Sequence, residues 1–245
     1  MALTGVVLIG FVFVHMAGNL QMLAGQEQIN AYAHALQSLP WFVLWGSRLF
    51  LLLCVVLHAW TAFALISENR KARPQANRIE DTKRAGWSSL HMGLSGSILL
   101  AFIVFHLLHF TIRVVYPEYD KMTTIVGSPD GSKIQDVYSM VLSGFRVEAV
   151  SIFYVVSMFL LCSHLSHGVS SVFQSLGVRS ESWRSKLEMF SQAYAWIIFA
   201  GFSIVPVGVL AQKYEIFRLF APSLLSTAFQ LYLNNTYQAH RSDEP

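Results

Sequence analysis

Charge is scarce in this sequence. Only 13% of its 245 residues are Asp, Glu, Lys or Arg, against about 25% in an average soluble domain. A water-facing surface cannot be built from so few charges, which excludes an ordinary soluble fold. Cysteine is scarcer still. Cys54 and Cys162 both lie inside apolar runs, which argues against a disulfide framework or a zinc site. Acids are nearly absent from the long apolar segments: Glu148 stands at the end of one, and Pro206 is the only proline inside any of them. A transporter with a polar path needs mid-depth acids and broken helices, and their scarcity argues against one. The net charge of +3 is too small to imply a nucleic-acid partner.

Hydrocarbon is abundant instead. Apolar residues make up 54% of the chain, and its mean hydropathy is +0.47. A membrane span needs about 20 mainly apolar residues. Five such runs are present, at about 3–23, 41–66, 87–116, 147–173 and 190–211. The fold class expected is an all-α, polytopic membrane bundle of five transmembrane helices, forming one domain over residues 1–245. The tail from 212 to 245, with LFAPSLLSTAFQLYL, is too short for a comfortable span and reads as a short interfacial or external helix or as a sixth, poorly formed crossing.

The basic residues orient the bundle. The loop Ser67–Gly86 holds six Lys or Arg, and Arg179, Arg184 and Lys186 precede the fifth span. The loop between the first two spans has none. Positive-inside logic places the basic loops and the N-terminus in the cytoplasm. Residues 117–144, with Gly127, Pro129 and Gly131, form an external excursion. The first span starts without a basic flank, so a short cytoplasmic leader is expected before Met1.

Histidines stand out against this background. Of nine, seven fall inside spans: His15, His58, His91, His106, His109, His164 and His167. Intramembrane ionisable residues are functional candidates by default, although a single one is more often a hydrogen-bonded interior residue. Depth arranges four of them. His15 and His106, twelve and nineteen residues into outward-running spans, lie in the outer half. His58 and His164, each seventeen residues into inward-running spans, lie in the inner half. Each half holds one pair from two helices. Neutral imidazole is the commonest metal ligand, and a haem between helices takes one axial histidine on each face. An offset of about eight residues separates the levels by roughly 12 Å. Gly10, Ala17, Gly18, Gly93, Gly96 and Gly168 lie near these histidines and permit close approach, as they would in any membrane bundle.

At these residues the chain resembles a known family, the di-haem cytochrome b membrane-anchor subunit of bacterial succinate:quinone oxidoreductases (succinate dehydrogenase and fumarate reductase). The matching pieces are LTGVVLIGFVFVHMAGNL, AYAHALQSLP, VVLHAWTAF, FIVFHLLHF and FYVVSMFLLCSHLSHG. They come in the family's order and cover the first four spans; the fifth is generic and the tail unmatched. The resemblance implies that His58 and His164 ligate an inner b haem, and His15 and His106 an outer one. His109 is the rival outer ligand; the aromatic-His-Leu-Leu piece favours His106. His167 occupies a non-ligand position, and His34, in the AxxH segment before Ser-Leu-Pro, has a packing or haem-edge role. The implied function is a quinone-reactive subunit of the bacterial cytoplasmic membrane. It anchors a flavoprotein and an iron–sulfur protein on its cytoplasmic face and passes electrons between them and a membrane quinone, with menaquinone favoured.

Two positions depart from the family's pattern. Some relatives carry a glutamate where Cys162 stands, and some an acid where Gln37 stands. Neither Cys162 nor Gln37 is a carboxylate relay, although Gln37 can hydrogen-bond a quinone oxygen. Further candidates serve the haem edges: Arg48, Arg113 and Arg146 on the outer side, and Trp87, Ser88, Ser89 and His91 on the inner. Trp and Arg also anchor helices at membrane interfaces, but Arg48 lies seven residues inside its span and at that depth needs a partner. The competing reading is a di-haem b subunit of a formate dehydrogenase or hydrogenase type, which shares the haems and differs in its soluble partners.

Overall fold

The chain's computed structural model describes residues 1–72, 92–177 and 180–214. Among these residues five helices are long and apolar enough to cross a membrane, and the architecture is an all-α, multi-pass bundle. The first is α1 (Ala2–Asn19), prolonged by a tight turn at Leu20–Ala24. Gly25, at φ 106°, reverses the chain into α2 (Gln26–Gln37). Next come α3 (Trp41–Ala72) and α4 (Met92–His106), the latter ending in a wide π turn over Leu107–Thr111. A tight turn at Pro117–Lys121 leads to a small hairpin, β1 (Thr123–Thr124) and β2 (Ile134–Gln135), with Thr123 opposite Gln135. The remaining helices are α5 (Val137–Arg146), α6 (Glu148–Ser175) and α7 (Glu181–Lys213).

Lengths follow from apolar content and differ from expectation at three ends. Helix α3 has 32 residues, about 48 Å at 1.5 Å per residue, well beyond a hydrocarbon core of about 30 Å. Helix α7 starts nine residues before Phe190, because its polar first turns continue the same helix. The third span stops at Thr111 rather than Tyr116. The reason is local: Ile112 N bonds Leu107 O in the wider turn, and Arg113 takes φ 61°, which a helix cannot continue. Its guanidinium pairs with Asp120. The stretch 87–91 and the expected C-terminal helix lie outside the described residues.

The segments between spans contain two helices that hydropathy does not reveal. Helices α2 and α5 pack on each other at one end of the bundle and are pinned by buried polar groups. Asn30, fully buried, donates to Asp136 Oδ1 (3.1 Å) and accepts from Tyr138 N (3.0 Å). Asp136 caps α5 through Ser139 N and Ser139 Oγ and accepts from Gln26 Nε2. One carboxylate thus satisfies a helix N-terminus and ties it to α2.

Helix α6 is the centre of the bundle. It packs along α7 and touches α1, α4 and α5. Small buried residues, Ser151, Ser157, Ser191 and Ala195, suit this close packing. Cys162 belongs to the core here, with Met16, Leu165, Val169 and Ile198. Helix α3 is the opposite case. Cys54 is its only buried residue, and among the described residues it packs chiefly on α1 and α4. It packs tightly on α4 at one point, where a Cβ on Gly93 would lie 3.0 Å from Ile66 Cδ1.

Candidate functional site

Histidines from different helices meet in two places. His15 of α1 faces His106 at the end of α4, with ring centres 5.9 Å apart and planes at 77°. His58 of α3 faces His164 of α6, with ring centres 6.4 Å apart and planes at 65°. All four are half-buried.

Their vertical offset can be read on three helices. The second pair lies level with Thr4 on α1 and Ser95 on α4, through contacts described below. Eleven residues separate Thr4 from His15 and Ser95 from His106, and ten separate Tyr154 from His164. At about 1.5 Å per residue the two pairs lie about 15–17 Å apart along the helices. This exceeds the 12 Å expected from span limits, because the true helix ends shift the depth scale.

Hydroxyl groups hold three of the rings. Thr4 Oγ1 donates to Met1 O (2.8 Å) and lies 3.2 Å from His58 Nδ1. A hydroxyl has one proton, so Thr4 must accept at His58, which places the ring hydrogen on Nδ1. Ser95 does the same for His164: Oγ donates to Met92 O (3.1 Å) and lies 3.3 Å from Nδ1. Tyr154 Oη lies 3.3 Å from His106 Nδ1. The Thr4 and Ser95 arrangements leave Nε2 of His58 and His164 with its lone pair available as a ligand, the outer-shell pattern typical of metal-bound histidine. His15 is held differently. Asn19 Nδ2 donates to its carbonyl (2.7 Å) and lies 3.4 Å from both ring nitrogens, while Phe11 stacks on the ring and Phe202 flanks it.

The spacing fits a metal between each pair. A metal–imidazole bond is about 2 Å and the bonded nitrogen is about 1.2 Å from its ring centre, so trans imidazoles have centres about 6.3 Å apart. The observed 5.9 and 6.4 Å straddle that value. Among the described residues no group of three or more His, Cys, Asp or Glu converges; an axial pair requires only two. Space beside the rings is kept by glycine. A Cβ on Gly96 would lie 3.3 Å from His164 Cε1, and one on Gly5 3.8 Å from His58 Cε1.

His109 does not join the pairs. It is fully buried, stacks on Phe110 with centres 3.9 Å apart, and has both nitrogens near phenols: Nδ1 is 3.0 Å from Tyr154 Oη and Nε2 3.4 Å from Tyr119 Oη. Burial pushes the Tyr119 hydroxyl up to about 12, so it keeps its proton at neutral pH.

The other sequence candidates are dispersed. His34 and Ser38 pair at 3.4 Å on the exposed side of α2, and Gln37 is exposed beside them. Arg48 finds its partner in Trp45, its guanidinium 5.2 Å from the ring centre. Arg146 lines a surface pocket with Met122, Ser139, Leu142 and Ser143. His167 bonds Ser171 at 3.1 Å. Trp87, Ser88, Ser89 and His91 lie outside the described residues. Thr4, Ser95, Asn19 and Tyr154 were not anticipated; the only signal for them is a hydroxyl or amide about one span-level from a histidine. In comparisons with known proteins, no family model, no curated protein and no solved structure matches the chain.

Proposed function

We propose that this chain is the membrane-anchor and electron-transfer subunit of a complex of the succinate dehydrogenase or fumarate reductase type, holding two b haems, one between His15 and His106 and one between His58 and His164. The observation that carries the reading is the meeting of four histidines from four helices as two facing pairs, with Nδ1 engaged in three of the rings. Such haems, when bound, supply one-electron transfer; the protein supplies ligation, spacing and electrostatics. Within the chain, His15, His58, His106 and His164 bind, Thr4, Ser95 and Tyr154 fix ring orientation and tautomer, and aromatic packing around the first pair keeps water away.

In this reading the membrane is the bacterial cytoplasmic one and the N-terminus faces the cytoplasm. The flavoprotein and iron–sulfur subunits dock at the end carrying the basic loop, and a quinone, menaquinone by preference, is served from the bundle. The formate dehydrogenase or hydrogenase type would share the histidine pairs; the soluble subunits that co-purify decide between them.

A reduced-minus-oxidised spectrum with pyridine haemochrome quantitation of the purified chain tests the proposal. Two b haems per chain are expected. His58→Ala or His164→Ala should remove one, and His15→Ala or His106→Ala the other, while His109→Ala should retain both. Folded protein without haem would sink the reading.

A further inference from the structure

Beyond His106 the polar contacts do not stop. Tyr154 Oη lies 3.3 Å from His106 Nδ1 and 3.0 Å from His109 Nδ1. His109 Nε2 lies 3.4 Å from Tyr119 Oη. Four side chains from α4, its terminal turn, α6 and the Pro117–Lys121 turn form one line leading away from the first histidine pair.

Proton counting gives this line a direction. If His106 offers Nε2 to a metal, its hydrogen is on Nδ1, and Tyr154 must accept it. The single proton of Tyr154 then goes to His109 Nδ1. His109 is left with Nε2–H, which donates to Tyr119. Tyr154 and His109 each accept from the His106 side and donate away from it. Hydrogen bonds in such head-to-tail order polarise one another. The acceptor on an axial histidine raises that ligand's basicity, and an electron-rich ligand favours the ferric state. The chain is held tightly: a Cβ on Gly144 would lie 3.0 Å from Tyr119 Oη and 3.1 Å from His109 Nε2.

We propose that Tyr154, His109 and Tyr119 are positioning residues that act through His106, forming a directional hydrogen-bonded chain that fixes its tautomer and lowers the potential of the haem at the His15–His106 pair. The inference rests on the two-haem reading. It gives His109 a role as the middle of the chain rather than as a rival ligand, and it makes a residue three links away felt at the haem.

Redox titration of the purified holoprotein, following each haem separately, tests it on Tyr154→Phe and Tyr119→Phe. Tyr154→Phe should raise the ferrous-to-ferric ratio of one haem about tenfold at fixed potential, which is about 59 mV for one electron. Tyr119→Phe, which leaves His106 untouched, should shift the same haem in the same direction by about twofold. The other haem should not move in either variant. Two haems with unmoved potentials, a downward shift, or an equal shift of both haems would overturn the chain and leave the two-haem reading standing. A wild-type protein without haem removes both. If Tyr154→Phe does not fold, the result for Tyr119→Phe decides, because that hydroxyl touches His109 alone whereas Tyr154 serves both His106 and His109.

Discussion

An imidazole at mid-membrane depth can serve as a ligand only if its tautomer is settled, and here small hydroxyls settle it. Thr4 and Ser95 have spent their own protons on backbone carbonyls, so each can only accept from the histidine beside it. Outer-shell partners of this kind typically affect metal affinity by about 10–100-fold. Thr4→Val and Ser95→Ala should therefore weaken haem retention at the His58–His164 pair by at least about tenfold, while the other pair keeps its haem. Competition with a haem-scavenging apoprotein, followed by the spectra of the two haems, measures this. Equal retention in both variants would mean that the hydroxyls are packing alone. The same scale separates His106 from His109. They are three positions apart on one helix, yet one faces His15 and the other is enclosed by Tyr119, Tyr154 and Phe110.

At the scale of elements, the polar end of the bundle is organised by the α2–α5 lock. Asn30 satisfies both Tyr138 N and Asp136 where no water reaches. Asn30→Ala leaves a buried N–H without its acceptor, a cost of about 1–3 kcal/mol. The expected outcome is a lower thermal midpoint and faster amide exchange across 137–146, with the histidine pairs intact. Exchange unchanged over α5 would show that its apolar face holds it without the lock. This element matters to the site because α5 packs Gly144 against Tyr119 and His109. Helices α2 and α5 were hidden in the sequence for a physical reason: each is short and amphipathic inside a polar segment, so neither leaves a hydropathy signal. The long spans were readable because about 20 apolar residues are a local property.

The whole molecule is uneven. Helices α6 and α7 share a well-buried seam, whereas α3 keeps one buried residue in 32 and contributes His58 opposite His164 on α6. A group ligated by both would join the most loosely held span to the most central one. A ligand that binds only the folded state stabilises it in proportion to the logarithm of its concentration over Kd. Depleting the haems should therefore lower the thermal midpoint of the bundle and make α3 the first span to become accessible, while α6 and α7 stay protected. Limited proteolysis and amide exchange on haem-depleted protein check this. Uniform loosening of all five spans would contradict it.

The sequence alone determined the class of the molecule, the five spans found among the described residues and the grouping of four histidines at two depths. These depend on composition and on a constant helical rise, which neighbours do not alter. Tertiary structure decided the rest. Whether His106 or His109 turns toward His15 depends on how a π turn and the following segment pack, and which of the many serines, threonines and tyrosines touch a histidine depends on which helices are adjacent. The level separation changed as well, because it is measured between contacts and not from span ends. The partner of Arg48 proved to be the ring of Trp45, three residues away on the same helix, a contact set by side-chain direction that hydropathy does not encode.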